Sequence, residues 1–176
     1  MGQYYVIVNL DKKQFIHPHK FGDGVKLLEF ADSTLGTMTA LAVLLANGNG
    51  RGGGDLNSND PIIGSWAGDR IVIAGDYADP GRFVPKSMKK KLFERNLEEY
   101  TQNSLEMGAS DKKKCAKTTA NLHSLAINFF EDISEKVILA LCDDPSLREE
   151  LIKSIPKEVK KNLAPQLVEK KLARSI

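Results

Sequence analysis

The spacing of apolar residues changes near Pro85, and that change limits the chain to folds with a β-rich first half and a helical second half. Pro85 suits a first helical turn. Beyond it, Met88, Leu92, Asn96 or Leu97, and Tyr100 recur at three- and four-residue spacing, the signature of one buried helix face. Cys115, Leu122, Leu125, Phe129, Ile133, Val137 and Leu141 predict a second helix from about Asp111 to Leu141. That length is unusual for a globular helix and invites a break midway. Asp144 caps a third helix that begins at Pro145 and buries Leu147, Leu151 and Ile152. Pro156 starts a fourth, which Pro165 kinks or splits.

Before Pro85 the pattern is extended and broken by turns. Tyr4 to Val8 is β-branched and aromatic, Asn9 to Lys13 carries turn residues, and Gln14 to His17 resumes the run. These make a hairpin that Pro18 ends. Val25 to Phe30 fits either a strand or a helical turn. Leu35, Met38, Leu41, Ala42 and Leu45 then define a helix, with Asp32 or Ser33 to cap its start and Gly48 just past its end. Ile62 to Trp66 and Arg70 to Ala74 read as two strands joined by a tight turn at Ala67 to Asp69. The expected architecture is α+β: a small antiparallel sheet with a packed helix in residues 1–80, a helical part in residues 85–176, and one domain over residues 1–176.

A chain of 176 residues with 41% hydrophobic content can bury roughly 70% of its unfolded surface and needs no metal or disulfide to hold a core. Its two cysteines, Cys115 and Cys142, are far apart and read as reduced thiols. The longest apolar run, Ala40 to Ala46, is too short for a membrane span, and no basic segment leads into an apolar one at the N-terminus. Met1-Gly2 begins like a myristoylation signal, but Val6 stands where Ser or Thr is needed. The expected location is the cytoplasm, with no membrane partner.

Charge is divided unevenly. Residues 1–80 hold six Lys and Arg against nine Asp and Glu, and residues 81–176 hold 19 against 14. Lysines cluster at Lys89 to Lys91, Lys112 to Lys114 with Lys117, and Lys157 to Lys161. Such clusters can attract nucleic acid or anionic lipid. Interspersed Glu and Asp dilute them, which favours solvated helix faces over a nucleic-acid partner.

Four places could carry chemistry. Gly48 to Gly53 matches GxGxxG in letters, yet it follows a helix and precedes polar loop, the reverse of a dinucleotide-binding turn. What remains is a long loop in which Arg51 and the N–H groups of Gly52, Gly53 and Gly54 converge on an anion, with Asp55 beside them. Asp69, Arg70 and Asp76 flank one apolar strand and, with Arg51 and Asp55, form a polar cluster around one mouth if the turns gather there. His17 and His19 would face one side of an extended segment, where they could ligate a metal with Asp23, Asp69 or Asp76, or act as a base. The reading preferred is two surface histidines at a strand end, and no metal site is assigned. His123, within a helix, is taken as structural or exposed. Trp66, between Gly64 and Gly68, is read as an anchor against the helix, or else as a stacking surface.

Three segments carry a resemblance: Met1 to Tyr5, Arg51 to Leu56, and Trp66 to Tyr77. They resemble stretches in a group of small uncharacterised proteins with a Met-Gly-Gln-Tyr-Tyr start, an Arg-Gly-Gly-Gly-Asp-Leu stretch and a Trp-x-Gly-Asp-Arg-Ile…Gly-Asp-Tyr stretch. The likeness covers about residues 1–80. It implies that these segments form one unit and carries no activity.

Three functions compete. The first is a binding module that presents the glycine-rich loop to an anionic small molecule, a nucleotide or a protein partner through Arg51, Gly52, Gly53, Gly54, Asp55, Asp69 and Arg70. The second is a metal-assisted or acid–base hydrolase of a phosphate-containing substrate, with His17, His19 and Asp76 as catalytic candidates. The third is a protein–protein interaction module built on the helices. The sequence specifies no cofactor and does not decide whether the protein is an enzyme.

Overall fold

The computed structural model describes the backbone of residues 2–173 and the side chains of residues 2–169. Strand β1 (Tyr5–Asn9) is buried on both faces: Ile7 points to one side and Val6 and Val8 to the other, each with no exposed surface. A strand needs apolar side chains on both faces only when both are covered, and the run Val6-Ile7-Val8 meets that demand. β2 (Gln14–Ile16) pairs antiparallel with β1, Ile7 opposite Ile16. A 3-10 turn over Pro18–Phe21 follows, then the short helices α1 (Leu27–Ala31) and α2 (Thr37–Leu45).

β3 (Ile71–Gly75) pairs antiparallel with the other edge of β1, Ile7 opposite Ile73. Helices α3 (Lys86–Asn103), α4 (Ala109–Thr118) and α5 (Leu122–Phe129) lead into the two-residue β4 (Glu131–Asp132). α6 (Ser134–Leu141), α7 (Pro145–Ser154) and α8 (Lys157–Ala173) complete the chain. The fold is α+β with a helical C-terminal half, and the sheet order is β3-β1-β2-β4.

The sheet is mixed, because β4 runs parallel to β2. Phe130 and Glu131 leave the helical path so that Glu131 N donates to Lys13 O and Ile133 N to Phe15 O. Those bonds part α5 from α6 within the long helix expected over residues 111–141, and a separate break at residues 119–121, where Asn121 Oδ1 caps α5 by accepting from Ser124 N, parts α4 from α5. The bonds to Lys13 and Phe15 also join the helical half to the sheet.

Two cores lie on opposite faces of the sheet. On one side Ile7 and Ile16 pack with Phe21, Phe30, Leu44 and Trp66 and with α6, α7 and the start of α8. On the other, Val6, Val8, Phe15 and Ala74 pack with Val84, Leu92 and α5.

Residues 62–66 form successive turns where a strand was expected. Gly64 N donates to Val43 O and Trp66 N to Leu44 O, so the segment satisfies the last carbonyls of α2. The indole of Trp66 is fully buried and donates to Gln14 Oε1 at 3.0 Å. The start of α2 is tied down from a distance: Asp23 Oδ2 accepts from both the N–H and the hydroxyl of Thr37, each at 2.6 Å. Ser33 Oγ accepts from Met38 N at 3.2 Å. α7 begins as expected, with Asp144 accepting from Ser146 N at 2.9 Å and Pro145 in its first turn.

Candidate functional site

The glycine-rich loop closes on its own carboxylate. Asp55 Oδ2 accepts from Arg51 N at 2.6 Å and from Gly52 N at 3.1 Å. The Asn49 side chain bridges Leu56 and Ser58, and Asn57 N donates to Asp144 Oδ2, which moors the loop to the start of α7. A cleft of about 580 Å³ lies against the loop between α2 and α7, and the charged residues among its described lining are Asp55 and Asp144. An anion that used the Arg51 and Gly52 N–H groups would have to displace Asp55. It would do so beside a cleft whose charged lining is acidic.

The expected single mouth divides into separate places. Arg70 immediately precedes β3 and Asp76 immediately follows it, so the two lie at opposite ends of a strand, roughly 20 Å apart at the usual rise per residue. Asp69 accepts from Asn9 Nδ2 at 2.7 Å and from Lys12 Nζ at 2.6 Å, and these bonds hold its carboxyl below the usual carboxylate range. Arg70 bonds Asp11 through its backbone N–H at 2.7 Å and through Nε at 2.9 Å, which lowers the Asp11 carboxyl likewise. Asp76 Oδ1 accepts from Tyr4 N at 2.9 Å.

The histidine pair bends out of the extended geometry expected of it. His17 caps the 3-10 turn, its Nδ1 accepting from His19 N at 3.3 Å, and the ring centroids are 6.5 Å apart at 77°. Burial pushes the His17 imidazole below its ordinary range, against the pull of Asp132. Among the described residues, no three His, Cys, Asp or Glu side chains gather where a metal could be held. His123, at the start of α5, is likewise lowered by burial, with Asp76 opposing. It borders a cleft of about 250 Å³ beside Asn96, Ser124 and Asn128.

The arrangement best suited to a ligand is a cleft of about 610 Å³ between the β1–β2 turn, the segment before α3, and the end of α5. Its floor is apolar, made of Leu10, Val84, Met88, Phe129 and Phe130, and among the described residues its charged lining is Lys13, Lys91 and Arg70, the last paired with Asp11. Lys91 Nζ sits 4.9 Å from the centroid of the Phe129 ring. Phe83, 48% exposed, stands at the rim with the Arg82 guanidinium 5.1 Å over its ring.

Lys13 and Phe83 adopt left-handed backbone conformations, with φ of 54° and 59°, and among the described residues they are the non-glycine residues that do so. For a residue as bulky as phenylalanine this costs on the order of 1–2 kcal/mol. The surrounding bonds impose it. Asn9 Oδ1 accepts from Asp11 N and Lys12 N ahead of Lys13, and Lys13 O takes Glu131 N. Around Phe83, Arg82 N donates to Asp79 O, Val84 N to Gly81 O, and Gly81 N to Ala120 O.

Of the cleft residues, the sequence pointed to Arg70 and to the lysine cluster containing Lys91. Lys13 and Phe83 carried no local signal, since neither is a residue type that marks positive φ. No family model, curated protein or solved structure matches the chain.

Proposed function

We propose that this chain is a binding module for an anionic ligand with an apolar or aromatic body, taken up in the cleft lined by Lys13, Arg70, Phe83 and Lys91. One observation carries the reading: the strained pair Lys13 and Phe83 both line that cleft and present a cation and a ring to it. Strain at a bulky residue persists where the surrounding structure over-determines it, and such residues gather at ligand sites. A low-dielectric floor beneath cations strengthens their attraction for an anion. The volume lies within the usual range for small-molecule sites.

The test is a thermal-shift screen with nucleoside phosphates, aryl carboxylates and alkyl phosphates, followed by calorimetric titration of whatever raises the melting temperature. Lys91→Ala and Phe83→Gly should each weaken binding about tenfold, the first through loss of a charge-assisted contact and the second through loss of a stacking ring. Phe83→Gly also relieves the backbone, so its stability should hold within about 1 kcal/mol. Arg51→Ala should leave affinity unchanged. If Arg51→Ala weakens binding and Lys91→Ala does not, the ligand sits on the glycine-rich loop and the cleft reading fails.

A further inference from the structure

The cleft has a counterpart on the other flank of α3. Pro80, Gly81, Lys89, Phe93, Lys117 and Ala120 line a second depression of about 370 Å³ with a mainly apolar wall. Lys89 and Phe93 are four residues apart and share one side of the helix, while Ser87, Met88 and Lys91 turn toward the first cleft. From Pro80 to Phe93 the chain has five cations and no carboxylate. The first turn of α3 has no acidic residue and no side-chain cap, so its positive end is not offset between the two clefts. Each cleft therefore joins an aromatic ring to at least two cations: Phe93 with Lys89 and Lys117, and Phe83 with Lys13 and Lys91.

We propose that the ligand is a single-stranded nucleic acid, held across α3 with bases in the two aromatic clefts and phosphates on the lysines between them. This rests on the preceding reading of the first cleft and extends it to a polymer. Stacking on aromatic side chains needs bases free of a duplex, and a basic track carries the backbone without regard to sequence. A membrane surface is the poorer fit, because it calls for several apolar side chains projecting together into a bilayer, whereas Phe93 lines a recess and Phe83 stands singly at a rim.

Fluorescence anisotropy with labelled oligo-dT and oligo-U of roughly 4 to 16 nucleotides, the site sizes usual for such surfaces, tests the proposal. Affinity should rise with length, and a duplex of equal length should bind at least tenfold more weakly. The logarithm of the binding constant should fall with the logarithm of salt concentration by roughly 0.7 per phosphate neutralised. Lys89→Glu and Lys91→Glu, at exposed positions, should each reduce affinity tenfold or more with an unchanged circular dichroism spectrum. The DNA and RNA arms tell which strand is preferred. Equal binding of duplex, or of phosphatidylserine vesicles, overturns the proposal, as does strand binding that ignores both substitutions. If a small anion binds through Lys91 but no strand binds, this inference fails and the cleft reading stands. If neither binds, both fail.

Discussion

Two glycines show how differently a residue type can be used. Gly64 sits at φ 72°, and a Cβ there would overlap the carbonyl oxygen of Ala46, against which the Trp66 segment is laid. Gly64→Ala should cost at least about 1–3 kcal/mol from backbone strain, visible as a lowered denaturation midpoint. A Cβ on Gly53, in the glycine-rich loop, meets nothing within 4 Å. Gly53→Ala should therefore stay within about 1 kcal/mol of the parent. Equal losses for the two would contradict this account. His17 supplies a pH dependence. Its imidazole is lowered below 6.5 by burial, so the folded state binds fewer protons than the unfolded chain as pH falls through 6.5. Stability is then full above that pH and declines below it, until the folded form is itself protonated. His17→Asn keeps an acceptor for His19 N but cannot titrate. Its stability should fall less between pH 6.5 and 5 than that of the parent, with His123 and the lowered carboxyls of Glu29, Glu131 and Glu135 contributing to the remaining slope. Parallel curves would remove His17 as a source.

At the scale of elements, helix ends rather than helix faces separate expectation from structure. The apolar spacing in α2 is plain in the sequence, yet its first N–H is satisfied by Asp23, 14 residues away, and its last carbonyls by the Gly64–Trp66 turns. Asp23→Ala removes a capping bond and strands the buried Thr37 hydroxyl. It should cost about 1–3 kcal/mol, a fall in melting temperature of roughly 2–12 °C. Thr37→Val in the Asp23→Ala background should recover part of that loss, since the orphaned hydroxyl is then gone. The same logic explains the strand that Ile62 to Trp66 did not form. Five apolar or small residues suit an edge strand, but their N–H groups were needed to finish α2, and periodicity does not report that need. The helix expected over residues 111–141 likewise gave way at Phe130, where the ladder with β2 took the backbone bonds.

At the scale of the whole molecule, the informative quantity is where charge ends up. The excess of cations after residue 80 is visible in composition, but composition dilutes it with the acids of the same helices. In the fold, Glu94 and Glu98 engage Lys90 and Arg95 further along α3 and Asp11 engages Arg70, while Lys13, Lys89, Lys91 and Lys117 line two apolar clefts with no carboxylate among their described lining residues. The sequence by itself determined the α+β class, the central run Val6-Ile7-Val8, the bodies of most helices and the capping of α7. These depend on near neighbours: side-chain period, proline and glycine punctuation, and a cap two residues from the N–H it satisfies. Tertiary structure alone decided the parallel β4, the mooring of the glycine-rich loop to Asp144, and the placing of Lys13 and Phe83 on one cleft. Each of these depends on backbone bonds that compete over long separations in the chain. Such competition is resolved only when the whole set of donors and acceptors is satisfied at once.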